Sequence, residues 1–189
     1  MKVHVAPYDP SWPTKFTSEA ECIRAALGSV AVAVHHIGST AIPGIFAKPI
    51  IDILLEVDDI QAFDALSSAL TELGYEAKGE FGIPGRRYFR KESTEGMRTH
   101  QIHAFQKGSP ASERHLAFRD YMIGQPAIAQ SYSLLKQQLA ASHPDDFEAY
   151  MDGKDPFIKE HEAKAITWKK EAQQPSAGGN NAVSPGASG

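Results

Sequence analysis

The amino-acid sequence predicts an α+β fold, in which helices flank a mixed β-sheet and a C-terminal helical region follows. Two runs rich in β-branched and aliphatic residues, 30–37 and 50–57, have the composition of strands. Three shorter extended segments lie between residues 75 and 105, separated by turn-forming residues. Beyond Pro110 the apolar residues recur at helical spacing. Together these segments indicate a mixed or antiparallel sheet surrounded by helices.

The first predicted element is a helix that begins at about Ser11, with a proline in its first turn, and ends before Gly28. The strand at 30–37 comes next and runs into a small-residue turn. The strand at 50–57 is almost continuously apolar, as expected for a strand buried on both faces. An aspartate pair then caps a helix that is predicted to reach Leu73.

The rest of the chain is predicted to contain three short strands and then four helices. The strands are expected at about 75–80, 86–91 and 99–105, and the helices at about 112–123, 127–141, 144–150 and 156–171. We expect one domain over residues 1–171, with its helical part at about 110–171. Residues 172–189 have almost no apolar side chain to bury and are predicted to be a disordered tail.

The composition of the chain argues against several classes of function. The chain has 189 residues and a net charge of -4, from 19 Lys and Arg against 23 Asp and Glu, so nucleic acid is an unlikely partner and so is an anionic membrane surface. A single cysteine, Cys22, excludes an internal disulfide and a thiolate zinc site. The first residues have no apolar signal-peptide core and no run is long enough to span a membrane, so we expect a cytoplasmic protein.

The turn after the first strand and the strand that follows contain the residues best suited to chemistry. Gly38 allows close backbone approach, and Ser39 and Thr40 offer hydroxyl and N–H groups that favour a phosphate. The competing interpretation is an ordinary turn with a helix cap. Asp52 interrupts an apolar strand, and a buried carboxylate requires a hydrogen-bonding, ionic or metal partner.

Two histidine pairs lie on predicted strands. His100 and His103 are three residues apart and therefore face opposite sides of a regular strand, so at most one of them faces a site near Asp52. The same parity separates His35 from His36. A site of Asp52 with one histidine from each pair would suit a metal ion or a general base, whereas the alternative is that these are packed, hydrogen-bonded sheet residues.

A basic cluster stands out in this acidic chain: Arg86, Arg87, Arg90, Lys91 and Arg98. Strand alternation places Arg86 and Arg90 on one face and Arg87 and Lys91 on the other. One row of arginines could clamp a triphosphate, and the competing interpretation is a solvated edge strand protected by charge. The motifs of a P-loop, of a dinucleotide fold and of a Gly-x-Ser-x-Gly hydrolase are absent from the sequence.

Five separated motifs together resemble the GrpB family, in order and spacing, over about residues 3 to 170. They are residues 5–13 (VAPYDPSWP), 36–44 (HIGSTAIPG), 48–53 (KPIIDI), 98–103 (RTHQIH) and 115–121 (HLAFRDY). The resemblance implies a nucleotidyltransferase-like mixed sheet, because GrpB-like domains are classed in the nucleotidyltransferase superfamily. The superfamily pattern is a Gly-Ser turn followed, about a dozen residues later, by Asp-x-Asp on a strand.

Gly38, Ser39 and Asp52 fit that pattern, but Leu54 stands where the second carboxylate is expected. Glu56 shares the face of Asp52 but lies roughly 13 Å along the strand, too far to share a pair of metal ions. The pairs His115 and Arg119, Tyr132 and Lys136, and Tyr150 and Lys154 recur in the family pattern, and they either close a pocket from the helical side or form ordinary helix surface.

The leading hypothesis is an enzyme that binds a nucleotide or phosphate ester and transfers a nucleotidyl group to a small acceptor, with a nucleoside triphosphate as substrate and Mg²⁺ or Mn²⁺ as cofactor. Two alternatives are a degenerate module that only binds a nucleotide or coenzyme and acts through a partner, and a metal-dependent hydrolase. The predicted site comprises catalytic Asp52, His103 and His100, the metal ligands Asp52 and His103, and a phosphate-binding set of Gly38, Ser39, Thr40, Lys48, Arg87 and Arg98.

Overall fold

The computed structural model describes residues 3–173 and contains a five-stranded sheet with helices packed on both faces. The strands are β1 (Ala33–Ile37), β2 (Ile51–Val57), β3 (Tyr75–Ala77), β4 (Arg87–Glu92) and β5 (Arg98–Gln106). The helices are α1 (Trp12–Leu27), α2 (Ile60–Leu66), α3 (Ser68–Glu72), α4 (Pro110–Gly124), α5 (Pro126–Ser142) and α6 (Phe147–Gln173). The predicted α+β fold, a mixed sheet flanked by helices with a helical C-terminal region, is therefore confirmed.

The sheet has the strand order β1-β2-β5-β4-β3. Strands β2 and β5 are parallel, and the other neighbouring pairs are antiparallel. In this register Asp52 lies beside Gln101, and His103 lies between Leu54 and Tyr88. Because residues in register share a face, these five side chains project from the same side of the sheet.

The two faces of the sheet are covered by different parts of the chain. The main apolar core joins α1, α2 and α3 to the face that carries the alternate residues of β2, Ile51, Ile53, Leu55 and Val57. A smaller cluster on the other face contains Leu54 and residues of α4. A third cluster packs the loop after β1 against α4, α5 and α6. The face that carries Asp52 therefore looks toward the C-terminal helices.

Several predicted element boundaries differ from those in the structure. The first strand begins at Ala33, because residues 28–30 form a short 3₁₀ turn after Gly28. The helix predicted to reach Leu73 is divided into α2 and α3 at Ser67. The break predicted before Pro156 is absent, since α6 continues through this proline while Phe157 stacks on Tyr132 of α5. Packing against a neighbouring helix thus outweighs the local cost of the proline.

Most of the predicted tail, residues 174–189, lies outside the described residues. Residues 172 and 173 belong to the end of α6, two residues beyond the predicted helical limit. The domain boundary at residue 171 remains a prediction. Among residues 3–173, none of the helices combines the length and the apolar character needed to cross a membrane.

Candidate anion-binding site

A cavity of about 460 Å³ lies between the Asp52 face of the sheet and helices α5 and α6. The sheet and its adjoining turns contribute one wall, and the two helices contribute the other. Seventeen residues line it: Ser39, Thr40, Lys48, Ile50, Asp52, Phe81, Ile83, Arg86, Tyr88, Arg98, Gln101, His103, Lys136, Phe147, Tyr150, Met151 and Lys154. The cavity is thus built from both the N-terminal and the C-terminal parts of the sequence.

The charge of the cavity is opposite to that of the whole chain. Five basic side chains line it, against the single carboxylate of Asp52: Lys48, Arg86, Arg98, Lys136 and Lys154. Within residues 3–173, none of these five forms a salt bridge with a carboxylate. Cations that lack carboxylate partners and converge on a partly enclosed space suit an anion with several negative charges.

Lys136 is the most buried of these cations. Its side chain is 2% exposed, and its Nζ has no hydrogen-bond partner within residues 3–173. The ring of Tyr132, 4.5 Å away, is its aromatic neighbour. Burial, with a smaller contribution from nearby Lys154, lowers the pKa of Lys136 to about 7. A buried ammonium group without a partner is costly, and a bound anion would remove that cost.

Lys48, which precedes β2, is a second cavity lysine whose ammonium group lies against aromatic rings. Its Nζ lies 3.8 Å from the centre of the Phe147 ring and 5.4 Å from that of Tyr150. Burial, followed by repulsion from Lys154 and Arg98, lowers the pKa of Lys48 to about 8. Aromatic faces hold the ammonium group weakly enough for a phosphate to compete for it.

Asp52 is positioned by the turn that precedes its strand. Gly38 has φ +70°, and a Cβ at this position would overlap the Asp52 carboxylate at Oδ2. Glycine is therefore required at residue 38 for two reasons, the left-handed backbone and the contact with Asp52. The predicted association of the Gly-Ser turn with Asp52 is present as a direct contact, although Gly38 itself lies behind the carboxylate and not among the cavity-lining residues.

His103 lies beside Asp52 and is oriented by Arg86. Its Nε2 is 3.7 Å from Asp52 Oδ1, and its Nδ1 is 3.4 Å from Arg86 Nη1. Because a guanidinium can only donate, Nδ1 is the acceptor, and neutral His103 carries its proton on Nε2, facing Asp52. The Nε2–H of His103 therefore points toward the Asp52 carboxylate at a distance longer than a direct hydrogen bond, and Asp52 is the better placed proton acceptor.

The residues present do not fit a pair of metal ions. Leu54 occupies the position of a second carboxylate and is fully buried, packed with Ile37 and Phe105. No group of three or more His, Cys, Asp or Glu residues in the described part of the chain is arranged to hold a metal ion. The lone pair of His103 Nδ1 faces Arg86, so this imidazole lacks a free nitrogen for the predicted metal role while that contact holds.

Besides Gly38, two of the predicted site residues do not line the cavity. His100 is on the opposite face of β5, where its Nδ1 contacts Thr99 Oγ1. Arg87 is on the opposite face of β4 and forms a bidentate pair with Asp64 of α2. The alternation along both strands agrees with the prediction, and Arg86, not Arg87, belongs to the row that faces the cavity.

The other predicted residues have mixed positions. Ser39, Lys48 and Arg98 line the cavity. Thr40 also lines it, but its hydroxyl donates to the Ile50 carbonyl (3.2 Å) and contacts His36 Nε2 (2.9 Å), so it is already engaged within the protein. The two histidines of β1 are similarly engaged, His35 with Glu56 and His36 with Thr40, as the packed-histidine interpretation predicts.

The site also contains cations that the predicted phosphate-binding set omits, namely Arg86, Lys136 and Lys154. Arg86 belongs to the basic cluster noted in the sequence, and strand alternation placed it on the opposite face from Arg87. Alternation alone does not show which of the two faces lines the cavity. Lys136 and Lys154 each follow a tyrosine by four residues on a helix, and these pairs recur in the family pattern, which left open whether they close a pocket from the helical side. Ordinary helix surface shows the same spacing.

The chain is similar in sequence and in fold to proteins of one known family. The family model described as "GrpB protein" matches residues 2–164. The chain belongs to the GrpB family. The crystal structure of the conserved protein GrpB from Enterococcus faecalis aligns with a TM-score of 0.83 and 43% identity, over 88% of this chain and 99% of that one. The overall fold described above is therefore that of a solved GrpB protein.

Two curated relatives are similar over most of this GrpB chain. UPF0157 protein YqkA from Bacillus subtilis is 47% identical over 169 residues, which cover 89% of this chain and 49% of the relative. UPF0157 protein PA4798 from Pseudomonas aeruginosa is 39% identical over 163 residues, which cover 83% of this chain and 65% of the relative. The chain thus spans about half the length of the first relative and about two thirds of the second.

Proposed function

We propose that this GrpB protein binds a nucleotide or a related phosphate ester in the cavity and transfers a nucleotidyl group to a small acceptor. The observation that carries the proposal is the convergence of five cations, free of carboxylate partners within residues 3–173, on one cavity with a single aspartate. Guanidinium and ammonium groups in this arrangement suit the charge of a polyphosphate. The superfamily to which the sequence motifs point performs this class of reaction.

In the proposed reaction, the cavity lysines and Arg98 bind the phosphates and neutralise the charge that develops on them. A hydroxyl oxygen of the acceptor attacks the α-phosphorus. The new O–P bond forms as the bond between that phosphorus and the oxygen bridging to the β-phosphate breaks, and pyrophosphate leaves. Asp52 accepts the hydroxyl proton, and the Nε2–H of His103 faces the carboxylate from a distance of 3.7 Å.

The proposal is tested by calorimetric titration of the full chain with ATP, GTP, CTP and UTP, each with and without Mg²⁺ or Mn²⁺. We expect binding of at least one of them, weakened tenfold or more by Lys136→Met, because this substitution removes the buried cation. Lys164→Met is the matched control, since Lys164 is an exposed lysine of α6 paired with Glu160. Lack of binding by all four nucleotides would overturn the proposal.

The transfer step has a separate test. Pyrophosphate release is measured with a panel of small alcohols, sugars and amino alcohols as acceptors. Asp52→Asn retains the shape of the side chain and removes the proton acceptor, so we expect it to lower turnover by about 100-fold or more while nucleotide binding remains. Equal turnover by the wild type and this variant would exclude Asp52 as the base.

A second candidate function is supported by Leu54. This residue is fully buried in an apolar cluster at the position where the superfamily pattern has its second carboxylate. A module that binds the nucleotide without reacting it, and that acts through a partner, needs no carboxylate there. Nucleotide binding that is unaffected by metal and by Asp52→Asn, with no pyrophosphate released, would favour this function over catalysis.

A further inference from the structure

The loop between β3 and β4 brings an exposed aromatic ring to the cavity. Phe81 lines the cavity, yet its side chain is 62% exposed. Its φ of +46° is the only positive value for a residue other than glycine within residues 3–173. An unfavourable backbone conformation at an exposed phenylalanine persists only where neighbouring contacts hold it, and such residues are concentrated at functional sites.

Arg86 supplies two of the hydrogen bonds that hold this loop. Its Nη2 donates to the Phe81 carbonyl at 2.7 Å, and its Nε donates to the Glu80 carbonyl at 3.1 Å. The same guanidinium reaches His103 through Nη1. The Nε, Nη1 and Nη2 atoms of Arg86 are therefore all engaged within the protein. These contacts link the Phe81 backbone to His103, which lies beside Asp52.

The ring of Phe81 has one aromatic neighbour within residues 3–173 and is otherwise largely exposed. It stacks on Tyr88 with a centroid distance of 5.2 Å and an interplanar angle of 24°. Ile83 and the partly exposed Met151 also line the cavity. One part of the cavity is thus aromatic and apolar, and the rest carries the cations. A ligand that complements both parts has a polyanionic end and a flat, weakly polar end.

We propose that the ligand of this cavity is a nucleoside polyphosphate whose base stacks on the free face of Phe81, in continuation of the Phe81 and Tyr88 stack. This inference rests on the proposed function and narrows it, because it excludes inorganic polyphosphate and aliphatic phosphate esters as the preferred ligands. Stacking on one aromatic face is tolerant of base identity, since every base presents a π surface.

The test compares ATP with inorganic tripolyphosphate by calorimetry on the full chain. Phe81→Gly removes the ring and accommodates the positive φ, so the loop is not put under new strain. We expect this variant to bind ATP about tenfold more weakly and tripolyphosphate within about twofold of the wild type. Met97→Ala is the matched control, because Met97 is 63% exposed and lies outside the cavity.

A second variant gives a spectroscopic readout of stacking. Phe81→Trp keeps a large aromatic ring, so it should retain ATP affinity, and ATP but not tripolyphosphate should quench the fluorescence of the new tryptophan. Wild-type protein provides the background from Trp12 and Trp168. Equal effects of Phe81→Gly on both ligands, or no effect on ATP, would overturn the stacking proposal while leaving phosphate binding intact. Where another nucleotide binds more tightly than ATP, it replaces ATP in this test. Failure of the wild type to bind any of the four nucleotides would instead overturn the proposed function.

Discussion

At the scale of single residues, the candidate site residues could be identified from the sequence, but the sheet face that forms the site could not. Gly38, Ser39 and Asp52 could be singled out from residue type and spacing, and the structure places Gly38 against the Asp52 carboxylate. Parity along β5 correctly predicted that only one of His100 and His103 would face Asp52. Which one does so depends on the face that the C-terminal helices cover, and that information is absent from the local pattern.

The contact between Gly38 and Asp52 leads to a prediction on stability. Gly38→Ala should lower the free energy of unfolding by about 2 to 4 kcal/mol, because the alanine must adopt a positive φ and its Cβ displaces the Asp52 side chain. Urea denaturation followed by circular dichroism gives the value.

Gly28→Ala is a matched control for this prediction. Gly28 has φ +55°, and a Cβ there would meet no atom within 4 Å, so the control measures backbone strain alone. We expect a cost of about 1 kcal/mol for the control. Equal losses of stability in the two variants would show that the contact with Asp52 contributes nothing.

At the scale of elements, the cap of α2 was predicted correctly, whereas the continuation of α6 through Pro156 was not. The aspartate pair before α2 was predicted to cap it, and Asp59 Oδ1 accepts hydrogen bonds from the backbone N–H groups of Gln61 (2.8 Å) and Ala62 (3.2 Å). A cap depends on neighbours within a few residues, so the sequence contains it. The continuation of α6 through Pro156 depends on packing against α5, which lies outside any local window.

This capping arrangement can be measured with two adjacent residues. Asp59→Ala removes the acceptor for both N–H groups and should lower the free energy of unfolding by about 1 kcal/mol. Asp58→Ala removes a neighbouring charge that makes no side-chain hydrogen bond among the described residues, and we expect a change below about 0.5 kcal/mol. Both values come from denaturant titration, and a larger effect at Asp58 would contradict the assignment of the cap.

At the scale of the whole molecule, the net charge gives a misleading picture of the site. A chain with net charge -4 gathers five cations around one cavity, while Arg87, Arg90 and Lys91 pair with carboxylates elsewhere. The basic cluster noted in the sequence supplies two of these five cations, Arg86 and Arg98. The helical cations Lys136 and Lys154 could not be separated from helix surface, because α5 and α6 meet the sheet through long-range packing.

Replacing the buried Lys136 is predicted to change stability and nucleotide binding in opposite directions. Lys136→Met should weaken nucleotide binding and yet raise the free energy of unfolding by about 1 to 3 kcal/mol near pH 7, since an apolar side chain of similar length replaces an ammonium without a partner. Thermal and urea unfolding of the ligand-free protein provide the measurement. A variant less stable than the wild type would contradict this account of Lys136.

The pH dependence of that gain follows from the pKa of Lys136, which is about 7 in the folded protein against 10.5 as its ordinary value. Between these values the unfolded chain binds more protons than the folded one, so the stability of the wild type rises with pH. The methionine variant lacks this contribution, and its advantage should shrink as the pH rises from about 7 to about 10.5. An advantage independent of pH would point to packing alone.

The walls of the cavity have a consequence for how such a protein can be divided or recombined. Lys48 and Arg98 come from the sheet half of the chain, whereas Lys136 and Lys154 come from α5 and α6. Neither half retains a full complement of charge, so a shortened or chimeric version that exchanges the last two helices loses half of these four anchors at once. We therefore expect the sheet and helices α5 and α6 to be kept together as one unit in any recombined protein.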